Sequence, residues 1–248
     1  MSGVEQSLFA GFLVFCRLAA CFMTLPGFSS QRLPVRGRLA FAVGASLIIA
    51  PLVGAGAASP PADVPGQVAA ILRESAIGAA LGLLVRLYFI AFEMMVATMS
   101  TAIGLSAAFA PPVEGEGMAP PLAGAMTLAA TMAFFASGLD AQAIRALAGS
   151  YQAFPQGRPF PAQMSLGLML DSLQQASLVG LQIAAPILAL AIAVNVAAGL
   201  LSRFMPQAPV YFLITPLLIG AGFLVLFMAE RPMFGLFLDA LAKRIATL

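Results

Sequence analysis

The stretch PVYFLITPLLIGAGFLVLFMA, residues 209–229, decides the fold. It contains no charge, and its apolar side chains run on without the alternation that a membrane barrel strand requires. About 20 such residues cross a hydrocarbon core of about 30 Å as a helix. Inside a bilayer no water satisfies the backbone, so a spanning chain is either helical or a closed barrel. The run is therefore read as a helix, and so is Leu39–Ala50, which has the same character.

Moving outward, the rest of the chain agrees. Of 248 residues, 61% are hydrophobic and 9% charged, against about 25% charged in a soluble domain. The mean hydropathy is +0.98. Six apolar stretches reach or approach membrane length: 7–25, 39–57, 75–109, 122–137, 166–201 and 209–229. Two of them, 75–109 and 166–201, are too long for one straight crossing at about 1.5 Å per residue. They must tilt, kink, fold back or leave the bilayer, and Pro186 is the natural kink in the second. The fold class is all-α, a polytopic membrane protein. The start, Met1–Gln6, lacks a basic region before the first apolar run, which is therefore read as a retained segment rather than a cleaved signal.

Composition also narrows function. The net charge of +2 is too small, and the arginines too scattered, to imply nucleic acid. There is no His, which removes the commonest general base and metal ligand. No nucleophile elbow, phosphate loop, zinc-peptidase motif or paired carboxylate site is present, so neither catalysis, a cofactor nor a metal is expected. Glu114 and Glu116 alone lack the ligands for a cation. Cys16 and Cys21 lie five apart in one apolar run, where they point in different directions and read as packing residues.

The candidate functional residues are polar groups in apolar surroundings. Arg17, Arg86, Glu93, Asp171 and Asn195 sit within or beside the hydrophobic segments, where an ionisable group is costly and needs a partner. Helix stapling is the first reading for Arg86 and Glu93. Seven apart, they share a helix face, and each could reach a polar partner on another helix or chain. Arg17 reads as a snorkelling cation. Asn195, four residues before Gly199, reads as an amide bonding across a close helix contact. Arg203 lies at the tight turn before Pro206, Gln207 and Pro209. The positive-inside rule divides: Arg32, Arg36 and Arg38 make the first loop cytoplasmic, while Lys243 and Arg244 do the same for the C-terminus. With six crossings those two places fall on opposite sides, so either the count is wrong or one cluster is not at a membrane surface.

Three local patterns together resemble one family. The first is Arg17-Leu18, Leu25-Pro26-Gly27-Phe28, Leu33-Pro34 with Arg36 and Arg38, then Ala50-Pro51. The second is Glu74, Gly78 and Gly82, then Ile103-Gly104-Leu105-Ser106. The third, and most specific, is Ala185-Pro186, Asn195, Gly199-Leu200-Leu201, Arg203, Pro206-Gln207, Phe212 and Pro216. Across nearly the whole chain this is similar to the FliR family of flagellar export-gate proteins, whose virulence-system relatives form the SctT group.

The resemblance implies a single unit over 1–248, with a FliP-like part over 1–165 and a FliQ-like helical hairpin and tail over 166–248. It implies a non-enzymatic component of the flagellar type III export gate in the bacterial inner membrane, at the flagellar basal body. There it forms part of the channel through which unfolded flagellar subunits cross. The implied partners are FliP-like and FliQ-like subunits, FlhB-like and FlhA-like gate components, the exported chains and membrane lipid. It also implies a plug loop made of Phe109, Ala110, Pro111, Pro112, Val113, Glu114, Gly115, Glu116, Gly117 and Met118, and assembly roles for Arg17, Glu74, Arg86, Glu93, Asn195, Arg203, Pro206 and Gln207. The residues agree in part with the plug: four prolines and two glycines over 111–121 forbid a regular helix. The rival readings are an SctT-type injectisome gate protein and a small-solute secondary transporter, though the inverted repeat expected of the latter is not visible.

Overall fold

The structure, a computed structural model, describes residues 3–29, 34–53, 61, 63–105, 121–156, 162–205 and 210–247. Among these, seven helices follow one another: α1 Gly3–Thr24, α2 Val35–Val53, α3 Val64–Ala102, α4 Pro121–Ala136, α5 Leu139–Ala153, α6 Ala162–Phe204 and α7 Val210–Ala246. Four of them, α1, α3, α6 and α7, are long and apolar enough to cross a membrane; a fifth span arises if α4 and α5 count as one bent pair.

Local chemistry explains several boundaries. Asp63 caps α3, its carboxylate accepting the Gly66 N–H at 3.0 Å. Gly104, at φ +78°, ends the helical backbone of α3 in the left-handed region. Pro121 opens α4 at the first helical position, where a missing N–H costs nothing. Gly138, at φ +72°, breaks the chain between α4 and α5. Apolar content alone does not announce α5, which carries Asp140, Gln142, Arg145 and Gln152. A fourth segment ended at 137 by hydropathy misses it for that reason.

Each of the two overlong segments lies in one continuous helix. Neither folds back: α3 has 39 residues and α6 has 43, each continuous. At about 1.5 Å per residue both far exceed a core of about 30 Å. The last segment is longer than its apolar run too. α7 continues from 229 through Glu230, Arg231 and Asp239 to Ala246, since helix formation does not require apolar residues once the preceding turns exist.

The chain packs as two compact units. The first comprises Met1–Leu87, Phe135–Leu173 and Leu241–Leu248. Its core is built from one face of α1 (Val14, Leu18, Cys21, Phe22, Leu25), one face of α3 (Ile77, Leu81, Leu84, Val85) and Ala143 and Leu147 of α5. α1 packs on α2, which also meets α5. The second comprises Tyr88–Phe134 and Gln174–Ala240. An aromatic cluster holds it: Phe237 lies edge-on to Phe89 at 5.0 Å and 4.8 Å from Phe92, with Phe134 and Phe234 completing the contacts.

Candidate functional site

Within the first unit the most unusual chemistry is a fully buried ion pair. Arg17 of α1 and Glu74 of α3 each have no exposed side-chain surface. Arg17 Nε and Nη2 both lie 2.7 Å from Glu74 Oε2. Two further donors of the guanidinium go to the end of α5: Nη1 donates to Ser150 Oγ at 3.1 Å, and Nη2 to the Phe154 carbonyl at 2.9 Å. Ser150 in turn donates to the Leu147 carbonyl at 2.6 Å. The Tyr151 ring covers the guanidinium, 3.8 Å from Cζ to its centroid. A cation at the C-terminus of α5 also meets the negative end of that helix.

The spacing of α3 makes this pair possible. Glu74, Gly78 and Gly82 lie four apart and share one face. A Cβ on Gly78 would collide with the Arg17 carbonyl oxygen, and one on Gly82 with the Cys21 carbonyl oxygen and the Thr24 hydroxyl. The two glycines let the backbones of α1 and α3 approach closely, which brings a carboxylate on α3 within reach of an arginine on α1. The expectation that Arg17 snorkels is overturned, because a rigid acceptor set lies within the protein and no path to water is needed.

A second node ties the C-terminus down. Arg244, buried, donates from Nη2 to the Leu168 carbonyl at 2.7 Å and pairs with Asp171 at 3.4 Å. One of the two basic residues read as a membrane-surface signal at the C-terminus is thus engaged inside the protein. That removes half of the charge cluster behind the divided topology reading.

Arg86, Glu93, Asn195 and Arg203 are not drawn together. Arg86 is exposed and Glu93 half-buried, and among the described residues neither bonds to a side chain of another helix. Asn195 does not bond across a helix contact: its amide donates to the Ala191 carbonyl of its own helix at 2.8 Å, on an exposed face. Gly199 meets nothing that a Cβ would touch, so the close approach expected there is absent among the described residues of this chain. Arg203 is exposed at the end of α6. Pro206, Gln207 and the whole implied plug loop, Phe109 to Met118, lie outside the described residues.

Sequence reasoning missed Ser150, Tyr151 and the Phe154 carbonyl, which complete the site. No signal marked Ser150 or Tyr151, because α5 itself went unread. The four-residue spacing of Glu74, Gly78 and Gly82 was a usable signal for a close helix crossing.

Residues 8–243 match the family described as bacterial export proteins, family 1. Over 196 residues the chain is 32% identical to the flagellar biosynthetic protein FliR of Caulobacter vibrioides, covering 78% of this chain and 77% of that protein.

Proposed function

The chain belongs to family 1 of the bacterial export proteins, and from that premise we propose that it is a component of the flagellar type III protein export gate. The match over residues 8–243 carries this reading. The flagellar name of the Caulobacter relative favours it over an injectisome gate and over a small-solute transporter. The chain is embedded in the bacterial inner membrane at the flagellar basal body. There it contributes to a conduit for unfolded flagellar subunits, moves no electrons and makes no bonds, and is energised by other components.

The long helices support such a role. Helices α3, α6 and α7 carry extensive apolar surface that the chain does not bury, including Leu170, Leu181, Ile192, Leu213, Leu224 and Phe227. Surface of that kind belongs against lipid or other apolar helices. FliP-like and FliQ-like subunits are the proposed neighbours, with FlhB-like and FlhA-like components nearby. Arg86, Glu93, Asn195, Arg203 and Gln207 are proposed to meet polar groups of those chains. The division into a FliP-like part over 1–165 and a FliQ-like hairpin over 166–248 belongs to the same proposal.

Purification in mild detergent tests the assignment: FliP-like and FliQ-like chains should co-purify at fixed ratio. A stable, monodisperse lone chain from cells that make those proteins would refute it. The loop over 109–118 is proposed to seal the closed channel. Replacing 111–120 by a Gly/Ser linker, with Pro121 kept to open α4, should leave assembly intact and let small dyes cross the inner membrane. Unchanged dye uptake in a fully assembled gate would return the loop to an ordinary surface role.

A further inference from the structure

Within the second unit the end of α3 is locked into α7. Met99, Ser100 and Ile103 have no exposed surface, and Leu105 is buried as well. The Ile103 N–H still donates to the Met99 carbonyl at 3.1 Å, and Gly104 then turns the chain out of the helix at φ +78°. Against Ile103 stands Gly222 of α7. A Cβ there would lie 2.8 Å from Ile103 Cγ2, 3.0 Å from Cδ1 and 3.1 Å from Cβ, inside the separation of about 3.5–4.0 Å at which carbon atoms pack. Gly220, two residues earlier, meets nothing within 4 Å, so the tight fit is particular to position 222. A Cβ on Gly104 would touch the methyl group of Thr215, also on α7, at 3.7 Å. At the far end of residues 106–120, α4 opens at Pro121 and buries Ala123 completely.

We propose that Ile103 and Gly222 are positioning residues for the channel seal: the isoleucine seated on the glycine fixes the stem from which residues 106–120 depart. The inference rests on the proposed sealing role of the loop over 109–118. A helix end without tertiary contacts frays, and a frayed stem would leave the following residues without a fixed origin. The buried isoleucine supplies the contact. Close-packed interiors transmit a displacement rather than absorb it, so a side chain at 222 would push Ile103, and the covalent backbone would carry that shift into the loop. The absence of a side chain at 222 thereby acts on a segment more than a hundred residues earlier in the chain.

The test uses cells that make the whole gate and reads dye uptake across the inner membrane per assembled gate. Gly222→Val fills the space over Ile103 and should raise uptake several-fold. Ile103→Ala loosens the stem and should raise it less. Gly222→Val adds as many carbons as Ile103→Ala removes, and volume-conserving exchanges are the ones a core tolerates best, so the double variant should return uptake to the wild-type level. Gly180→Val is the control for steric damage in general. A Cβ there would press on Met95 Cγ at 2.8 Å, earlier on α3, so this variant should lower the amount of gate while each assembled gate stays tight. The proposal is overturned by a tight gate carrying Gly222→Val, by a double variant that leaks as much as Gly222→Val, or by equal leakage from Gly180→Val. Where Gly222→Val does not assemble, Ile103→Ala decides alone, and unchanged uptake overturns the proposal. Failure of the sealing role itself is read separately, as a gate that stays tight when the loop is replaced by the Gly/Ser linker.

Discussion

The two units of this protein hold their helices by different means. In the first, charged groups bond from one helix to another: Arg17 joins α1 to α3 and to the end of α5, and Arg244 joins α7 to α6. In the second, as also at Ser46, Ser150 and Ser172 of the first, several polar groups bond within their own helix. Ser100 donates to the Val96 carbonyl at 2.9 Å, Thr98 to the Met94 carbonyl at 2.8 Å, and Asn195 to Ala191. The Tyr88 hydroxyl, which donates to Gln175 at 3.2 Å, instead crosses between helices. Much of the contact between helices there is steric, through rings and through glycines such as Gly222, whose Cβ would press on the Ile103 side chain. A directional bond specifies which helix goes where, and its loss leaves a stranded charge. A steric interlock degrades gradually, since neighbours can relax into the gap.

The largest effect should come from splitting the buried pair. Glu74→Ala leaves Arg17 charged and without its main acceptor, a loss of about 3–5 kcal/mol. Arg17→Met combined with Glu74→Leu should be less damaging than either single change, because no charge is stranded. Thermal unfolding of the purified gate reads this double-mutant cycle. Full additivity of the two single losses would mean that the pair is not coupled, and the contrast between the units would collapse.

A smaller effect is expected at the helix crossing that makes the pair possible. Gly78→Ala places a methyl against the Arg17 backbone carbonyl, which has little freedom to move, and should cost about 1–3 kcal/mol. Gly44→Ala on α2 is the matched control. Its Cβ meets nothing within 4 Å, so the substitution should be neutral or gain up to about 1 kcal/mol from helix propensity. Equal melting temperatures for the two variants would show that the close approach of α1 and α3 is not what limits this face.

The mildest change is predicted in the second unit. Phe237→Leu keeps an apolar side chain and removes ring contacts with Phe89 and Phe92, at a cost of about 1 kcal/mol. A loss as large as that of Glu74→Ala would mean that the aromatic cluster is as intolerant as the ion pair, and the distinction between directional and steric holding would not stand.

Much of the fold was legible in local composition. The runs around 7–25, 75–109, 166–201 and 209–229 became α1, α3, α6 and α7. The failures were at polar stretches. Leu139–Ala153 and the extension of α7 beyond 229 are helices whose charges hid them from a reading based on apolar length. The site was half legible. Arg17 and Glu74 could both be singled out, but Arg17 reads as snorkelling from its sequence neighbours, and nothing near it in the chain identifies its partner. Asn195 and Gly199 have the spacing of a helix contact and prove to face outward.

By itself the sequence determined that the chain is helical, that several of its helices suit a membrane, and which family it belongs to. Those properties depend on hydropathy and side-chain order over short windows, where each residue's preference is settled by its neighbours. Only the tertiary structure decided which charges meet. Arg17 and Glu74 are 57 residues apart, and Arg17 and Phe154 are 137 apart. Whether such groups touch depends on where helices cross and how closely, a distance set at Gly78 and Gly82 by the absence of a single methyl group.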